Sequence, residues 1–282
     1  MLFITPSSNS QAAKDYYTRQ LERSDYYMKD AAEMPGQWHG LGTKLLGLKG
    51  EVKREDYFSL CDNQHPETGQ SLTRNTRADR RVLYDFTFDA PKSVSLAYEV
   101  GGDERILEAF KDATRDTMRE METAMMARVR ANGKDEDRVT GNMVWAGFVH
   151  RTTRPLEDGT PDPQLHCHAT VFNATYDAEE NKWKAAQFSN LVRDKGYYQA
   201  AFHSRLSANL ADLTRIIHDH EDTKGLFCYK HVVEAVFVRA REAFACLTIA
   251  RHSVCCYPIF SPSLPCCSSI SGRAVPTAEL CC

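Results

Sequence analysis

The 282 residues suit one large domain or two small ones, at roughly 100–200 residues per domain. With 42% hydrophobic and 26% charged residues and a formal net charge of −3, the composition excludes collagen, coiled coil and wholesale disorder. It also excludes a uniformly basic nucleic-acid binder, though not a local basic groove. No apolar run approaches the roughly 18 residues of a membrane span, and MLFITPSSNS lacks a basic region ahead of a long apolar stretch, so a soluble cytoplasmic protein is expected.

Residues 9–30 read as a proline-free helix with Ser8 or Ser10 as cap. Val82–Phe88 (VLYDFTF) is aromatic and β-branched with rough alternation and stops at Pro91, which predicts a strand. From Asp103 to Val129, Leu107, Phe110, Met118, Met121 and Met125 repeat at helical spacing, with Thr114 bridging the gap, so a long amphipathic helix is expected. Val139–Val149 and Leu165–Phe172 read as strands, the second bounded by the Pro161-Asp162-Pro163 turn. Tyr198, Phe202, Leu206, Leu210 and Leu213 form a last helical stripe. Strands and helices mix without steady βαβ alternation, and the fold class expected is α+β, an antiparallel sheet flanked by helices.

The cysteines divide the chain. Cys61 and Cys167 lie in the body; Cys228, Cys246, Cys255, Cys256, Cys266, Cys267, Cys281 and Cys282 crowd the end, three pairs of them adjacent. Such spacing matches neither common zinc-ligand patterns nor a secreted disulfide framework. Any chemistry is expected to lie in residues 1–215. Residues 216–282 are expected to be a cysteine-rich tail, foreign to the body or poorly ordered.

Three features could carry chemistry. On a strand, the side chains of His166 and His168 share one face, about 6.6–6.8 Å apart at the backbone. His150 closes the preceding predicted strand and could supply a third nitrogen; three imidazoles with open positions suit a metal that also touches substrate. The plainer alternative is surface histidines on an exposed strand. The motif lacks the following Glu of a cupin and the Asp-His of a metallo-β-lactamase. The doublets Tyr16-Tyr17 and Tyr26-Tyr27 are either amphipathic helix rings or phosphoryl nucleophiles once deprotonated. Asp85, inside an apolar strand, needs a partner. It orients a ligating histidine, accepts a proton, or pairs with an arginine of the run Arg74, Arg77, Arg80 and Arg81. That run, with Lys92, could line a phosphate path or simply face solvent.

Together these pieces resemble the MobF (TrwC/TraI-like) conjugative relaxases of the HUH endonuclease superfamily. The matching segments are the two doublets, Trp38-His-Gly-Leu-Gly42, Leu46-Gly-Leu-Lys-Gly50, Asp85-Phe-Thr-Phe-Asp-Ala-Pro-Lys-Ser-Val-Ser95, Thr140-Gly-Asn142, His150-Arg-Thr-Thr-Arg154 and Asp162-Pro-Gln-Leu-His-Cys-His-Ala169. They stand in order over about 210 residues. The resemblance implies a palm-like antiparallel sheet and a divalent metal, Mg²⁺ or Mn²⁺, on His150, His166 and His168, with Asp85 supporting one of them. It further implies Tyr16 as first nucleophile and Tyr26 for the second strand transfer, with Tyr17 and Tyr27 as reserve phenols. Arg74, Arg77, Arg81, Lys92 and Arg154 become candidate DNA contacts. The implied activity is site- and strand-specific nicking of single-stranded DNA at a plasmid transfer origin, with other relaxosome proteins as partners. A non-catalytic DNA-binding remnant and an unrelated three-His metallohydrolase are the alternatives. Cys167 stands where the family usually has Thr and Tyr84 where Gly is common, and the resemblance stops near residue 214, which implies a relaxase catalytic domain over residues 1–215 that is C-terminally incomplete.

Overall fold

A computed structural model describes residues 1–7, 9–21, 35–74, 80–131, 134–153 and 162–219. In chain order the elements are β1 (Leu2–Ser7), α1 (Ser10–Tyr16) running into a π-helical turn (Tyr17–Leu21), β2 (Gln37–His39), α2 (Leu41–Leu45), α3 (Arg54–Cys61), β3 (Leu83–Asp89), α4 (Lys92–Gly101) and α5 (Glu104–Thr123). There follow β4 (Met126–Ala131), β5 (Lys134–Val139), β6 (Trp145–Thr152), β7 (Pro163–Phe172), β8 (Thr175–Asp177), β9 (Lys182–Lys184), β10 (Ala186–Gln187), α6 (Ser189–Arg193) and α7 (Lys195–Asp219). Five strands form one sheet in the order β1-β3-β7-β6-β2, and every neighbouring pair is antiparallel. The expected α+β class is what the chain adopts. No helix among the described residues is long and apolar enough to cross a membrane.

Alternation along the central strands gives the sheet two different faces. Tyr84, Phe86 and Phe88 of β3 and Leu165, Cys167, Ala169 and Val171 of β7 join the larger core, covered by Val94 and Tyr98 of α4, Ile106, Phe110 and Met118 of α5, and Phe202 and Leu206 of α7. Each such buried ring or branched chain contributes about 1.5–3 kcal/mol of transfer free energy. On the opposite face Leu83, Ala146, Phe148 and Phe172 pack with Tyr17, Trp38, Leu46 and Tyr57 into a second core. That core covers one end of the face; the other end carries Asp85, Thr87, His150, His166 and His168.

The glycines of the Trp38–Gly42 segment have a packing reason. Gly42 N–H donates to the Met143 carbonyl at 2.9 Å, and a Cβ on Gly42 would stand 2.7 Å from that oxygen. Glu122, buried on α5, accepts from the backbone of Leu41 and Met143 at 2.7 Å each, which pins this segment beside β6.

Two boundaries differ from the sequence reading. The helix expected to reach Val129 stops at Thr123, because from Met125 the burial alternates: Met125, Ala127 and Val129 inside, Arg128 and Arg130 outside. Period two replaces period 3.6, and the segment pairs as β4 with β5. The strand expected over 139–149 begins at Trp145 instead; Val139 ends β5, and Gly141 at φ 65° turns the chain between them. The helix expected over 9–30 is described only to Leu21, and the remainder lies outside the described residues. So do residues 220–282, and α7 runs unbroken through position 215 to Asp219.

Candidate active site

Register brings the histidines together. Asp89, His166 and His150 form one row across β3, β7 and β6, and Thr87, His168 and Phe148 form the next. Ring centroids lie 5.2 Å apart for His150–His166, 5.6 Å for His150–His168 and 5.1 Å for His166–His168. Three imidazoles holding one ion tetrahedrally at about 2.0–2.1 Å put their centroids about 5 Å apart. Among the described residues no group of three or more His, Cys, Asp or Glu side chains is already arranged to hold a metal ion, but rotation about the soft terminal torsion moves the imidazole nitrogens without moving the backbone.

The nitrogens are sorted by their neighbours. His166 Nδ1–H donates to the Gln164 carbonyl at 2.8 Å, and His168 Nδ1 lies 2.8 Å from Asp85 Oδ2. A carbonyl and a carboxylate only accept, so both protons sit on Nδ1 and both Nε2 atoms stay open. His150 Nε2 is buried with no hydrogen-bond partner. An orphaned, buried imidazole nitrogen beside two open Nε2 atoms is a donor set that fits a divalent cation. Burial, then the neighbouring imidazoles of His166 and His168, push the His150 pKa down to about 3. Burial also lowers His166. Both are therefore neutral, ligand-ready imidazoles at pH 7. Cys167 points into the opposite core, as its place between the histidines requires, with its thiol raised to about 12 by burial.

Tyr16 reaches this centre from α1. Asn9 caps that helix by accepting from Ala12 N–H at 2.7 Å. Asp62, at the end of α3, fastens its outer side through Ser10 Oγ at 2.5 Å and Lys14 Nζ at 2.6 Å. The Tyr16 hydroxyl donates to Asp85 Oδ2 at 2.5 Å and lies 2.9 Å from His168 Nδ1. Thr87 Oγ1 is 3.2 Å from both Asp85 Oδ2 and His168 Nδ1. Of the arginines before Asp85, Arg80 donates instead to the Cys61 carbonyl at 2.5 Å and Arg81 to Tyr84 Oη at 3.0 Å. Asp85 Oδ1 is buried without a partner.

The two members of the first doublet diverge. Tyr17 is 5% exposed and packs in the second core, its ring centroid 4.4 Å from Tyr57, 5.8 Å from Phe58 and 5.9 Å from Phe148. Of the remaining expected residues, Arg74 is exposed, and Lys92 is committed to Asp162 at 2.5 Å and to the Pro163 carbonyl at 2.7 Å. Tyr26, Tyr27, Arg77 and Arg154 lie outside the described residues. Sequence reasoning missed Thr87, although its position two residues after Asp85 on a strand signals the same face. It also missed the Gln164 carbonyl and Asp62, for which no local pattern exists.

Residues 10–239 match the TrwC relaxase family. The chain belongs to that family. The multifunctional conjugation protein TraI of Escherichia coli K12 is 33% identical over 209 residues, 73% of this chain but 11% of TraI; the chain thus spans about a tenth of that relative's length. Among solved structures, the metal-bound conjugative relaxase TrwC in complex with OriT DNA aligns with TM-score 0.65 at 32% identity, over 76% of this chain and 70% of that one. A copper-bound TrwC–OriT complex aligns with TM-score 0.64 at 33% identity, over 76% and 71%.

Proposed function

We propose that this TrwC-family chain nicks single-stranded DNA at a plasmid transfer origin by tyrosine transesterification, with Tyr16 as the nucleophile. The observation that carries the reading is the Tyr16 hydroxyl donating to Asp85 beside three convergent imidazoles. The relatives support the substrate, since TrwC is solved with OriT DNA.

Asp85 Oδ2 takes the phenolic proton, its 2.5 Å contact to Tyr16 lying within general-base reach. The Tyr16 oxygen then forms a bond to the scissile phosphorus, and the bond from phosphorus to the 3′ oxygen breaks. The leaving oxygen keeps the electron pair and gains a proton, becoming a 3′ hydroxyl. One phosphodiester becomes one 5′-phosphotyrosine ester, with no water consumed, and that conserved ester permits later religation. Thr87 and Asp85 hold His168 in the tautomer that leaves Nε2 open, and Gln164 does the same for His166. A divalent cation on His150, His166 and His168 supplies the positive charge that polarises the phosphate. Three imidazoles bind Cu²⁺, Ni²⁺ and Zn²⁺ more tightly than Mn²⁺, so use of Mg²⁺ or Mn²⁺ rests on availability rather than affinity.

Tyr26 is assigned the second strand transfer, with Tyr17 and Tyr27 in reserve. Arg74 and Arg81, with Arg77 and Arg154, are assigned the DNA path. The catalytic domain is placed over residues 1–215 at least, acting in the cytoplasm with other relaxosome proteins. Incubation with a labelled transfer-origin oligonucleotide and Mn²⁺, read on a denaturing gel, tests the reading. DNA that migrates covalently with the chain supports it. Binding without an adduct indicates a non-catalytic remnant, and cleavage without an adduct a metallohydrolase.

A further inference from the structure

Strand β1 was not expected from the sequence, and it brings a residue to the site. It pairs antiparallel with β3 so that Leu2 opposes Phe88, Phe3 opposes Thr87, Ile4 opposes Phe86 and Thr5 opposes Asp85. Directly opposed residues share a face. Leu2 and Ile4 therefore turn toward the larger core, where Leu2 is 1% exposed, while Phe3 and Thr5 lie on the face that carries Asp85 and Thr87. Phe3 extends one cross-sheet row, Phe3–Thr87–His168–Phe148. It sits two strand spacings, about 10 Å, from the His168 backbone.

The phenylalanine in that row stays half open: Phe3 is 46% exposed. The other large exposed hydrophobics among the described residues are Met1, Leu41, Leu45, Leu96, Val100, Val139 and Val192, none of them aromatic. An isolated surface hydrophobe is ordinary. An aromatic one on the same sheet face as the nucleophile's base, one strand beyond Thr87, has a ligand of matching chemistry close by. The strand that delivers a phosphate to the histidine centre carries bases on either side, and an exposed ring offers a stacking surface that tolerates any base.

We propose that Phe3 is a substrate-positioning residue that stacks on a nucleobase flanking the scissile phosphate. The proposal rests on the nicking reading and adds a base contact that helps hold the phosphate at Tyr16. Stacked bases lose about 5- to 150-fold in affinity when the aromatic side chain is cut back to alanine. Among the described strands β1 is the edge, paired only with β3, so a strand of DNA laid across the sheet would leave it on this side.

Two fluorescent polymers of equal charge provide the test on the full chain with Mn²⁺ at fixed salt: oligothymidylate, and an abasic sugar-phosphate chain of the same length. Phe3→Ala should weaken oligothymidylate binding by about 5- to 150-fold and leave abasic binding unchanged. Phe3→Leu, which keeps apolar volume without a ring, should behave like Phe3→Ala, and Phe3→Trp should restore affinity. Equal loss on both polymers, or no loss on either, overturns the proposal. Covalent capture on origin DNA is read in parallel. Adduct formation without base-dependent loss defeats the Phe3 assignment alone, whereas base-dependent loss without any adduct in the wild-type chain defeats the nicking reading and leaves the stacking contact standing.

Discussion

Asp85 lies between the buried rings of Tyr84 and Phe86, and its Oδ2 receives hydrogen bonds from Tyr16, Thr87 and His168. A carboxylate so placed would be costly without those donors, and the same bonds orient the nucleophile and one ligand. Asp85→Asn keeps the shape but removes the charge that takes the phenolic proton. Single-turnover cleavage should fall by about 10²–10⁴-fold, with oligonucleotide affinity held within a few-fold. A rate within threefold of wild type would remove Asp85 from the proton transfer. The neighbouring tyrosines separate by environment, since Tyr16 meets polar partners and Tyr17 meets rings. Tyr17→Ala should therefore cost about 3–5 kcal/mol of stability in denaturant unfolding, the usual range for removing a large buried aromatic. A loss below 1 kcal/mol would show that the ring is not part of the second core.

Strand periodicity carried most of the site. His166 and His168 share a face because they are two apart, Cys167 lies opposite for the same reason, and the antiparallel return of β6 sets His150 against His166. A slip of one residue would turn these side chains to the other face, so the cores on both faces fix the register that the centre needs. The sequence also showed the helix of Glu104–Thr123 but not its end, because Met118, Met121 and Met125 fit helical spacing while Met125, Ala127 and Val129 fit a strand. Strands β8, β9 and β10, of two or three residues, are too short to show a period. Thr87 was legible from the alternation; the docking of α1 through Asp62 depends on tertiary contact alone. At this scale His166→Ala or His168→Ala should abolish nicking while oligonucleotide affinity stays within a few-fold, since the phosphate and base contacts proposed lie on other residues. Equal nicking in EDTA and in Mn²⁺ or Mg²⁺ would contradict the role of the trio.

Among the described residues, burial holds His39, His150 and His166 neutral inside the fold. Burial, then the adjacent imidazoles, brings His150 to about 3, and burial, then Arg115, brings His39 to about 4. An unfolded imidazole titrates near 6.5, so on acidification the unfolded chain takes up protons first and stability falls from about pH 6.5 toward pH 4. Against the upward push of burial, Lys184 and Arg138 hold Asp177 at about 2. That carboxylate is lowered rather than raised, and its contribution is lost at still lower pH. The melting temperature of the metal-free protein should therefore drop steadily between pH 7 and pH 4.5, and a flat or rising profile would place these histidines in water. Bound metal should offset the drop, because it requires the neutral ligands.

The account turns on one oxygen atom, the Tyr16 hydroxyl held between Asp85 and His168. Its most direct test is mass mapping of the peptide left attached to DNA after the wild-type chain reacts with a transfer-origin oligonucleotide. The predicted result is a nucleotide adduct on Tyr16, lost in Tyr16→Phe while initial cleavage by Tyr26→Phe stays near wild type. An adduct on any residue outside the Tyr16-Tyr17 and Tyr26-Tyr27 doublets, or undiminished adduct on the same peptide in Tyr16→Phe, would contradict it.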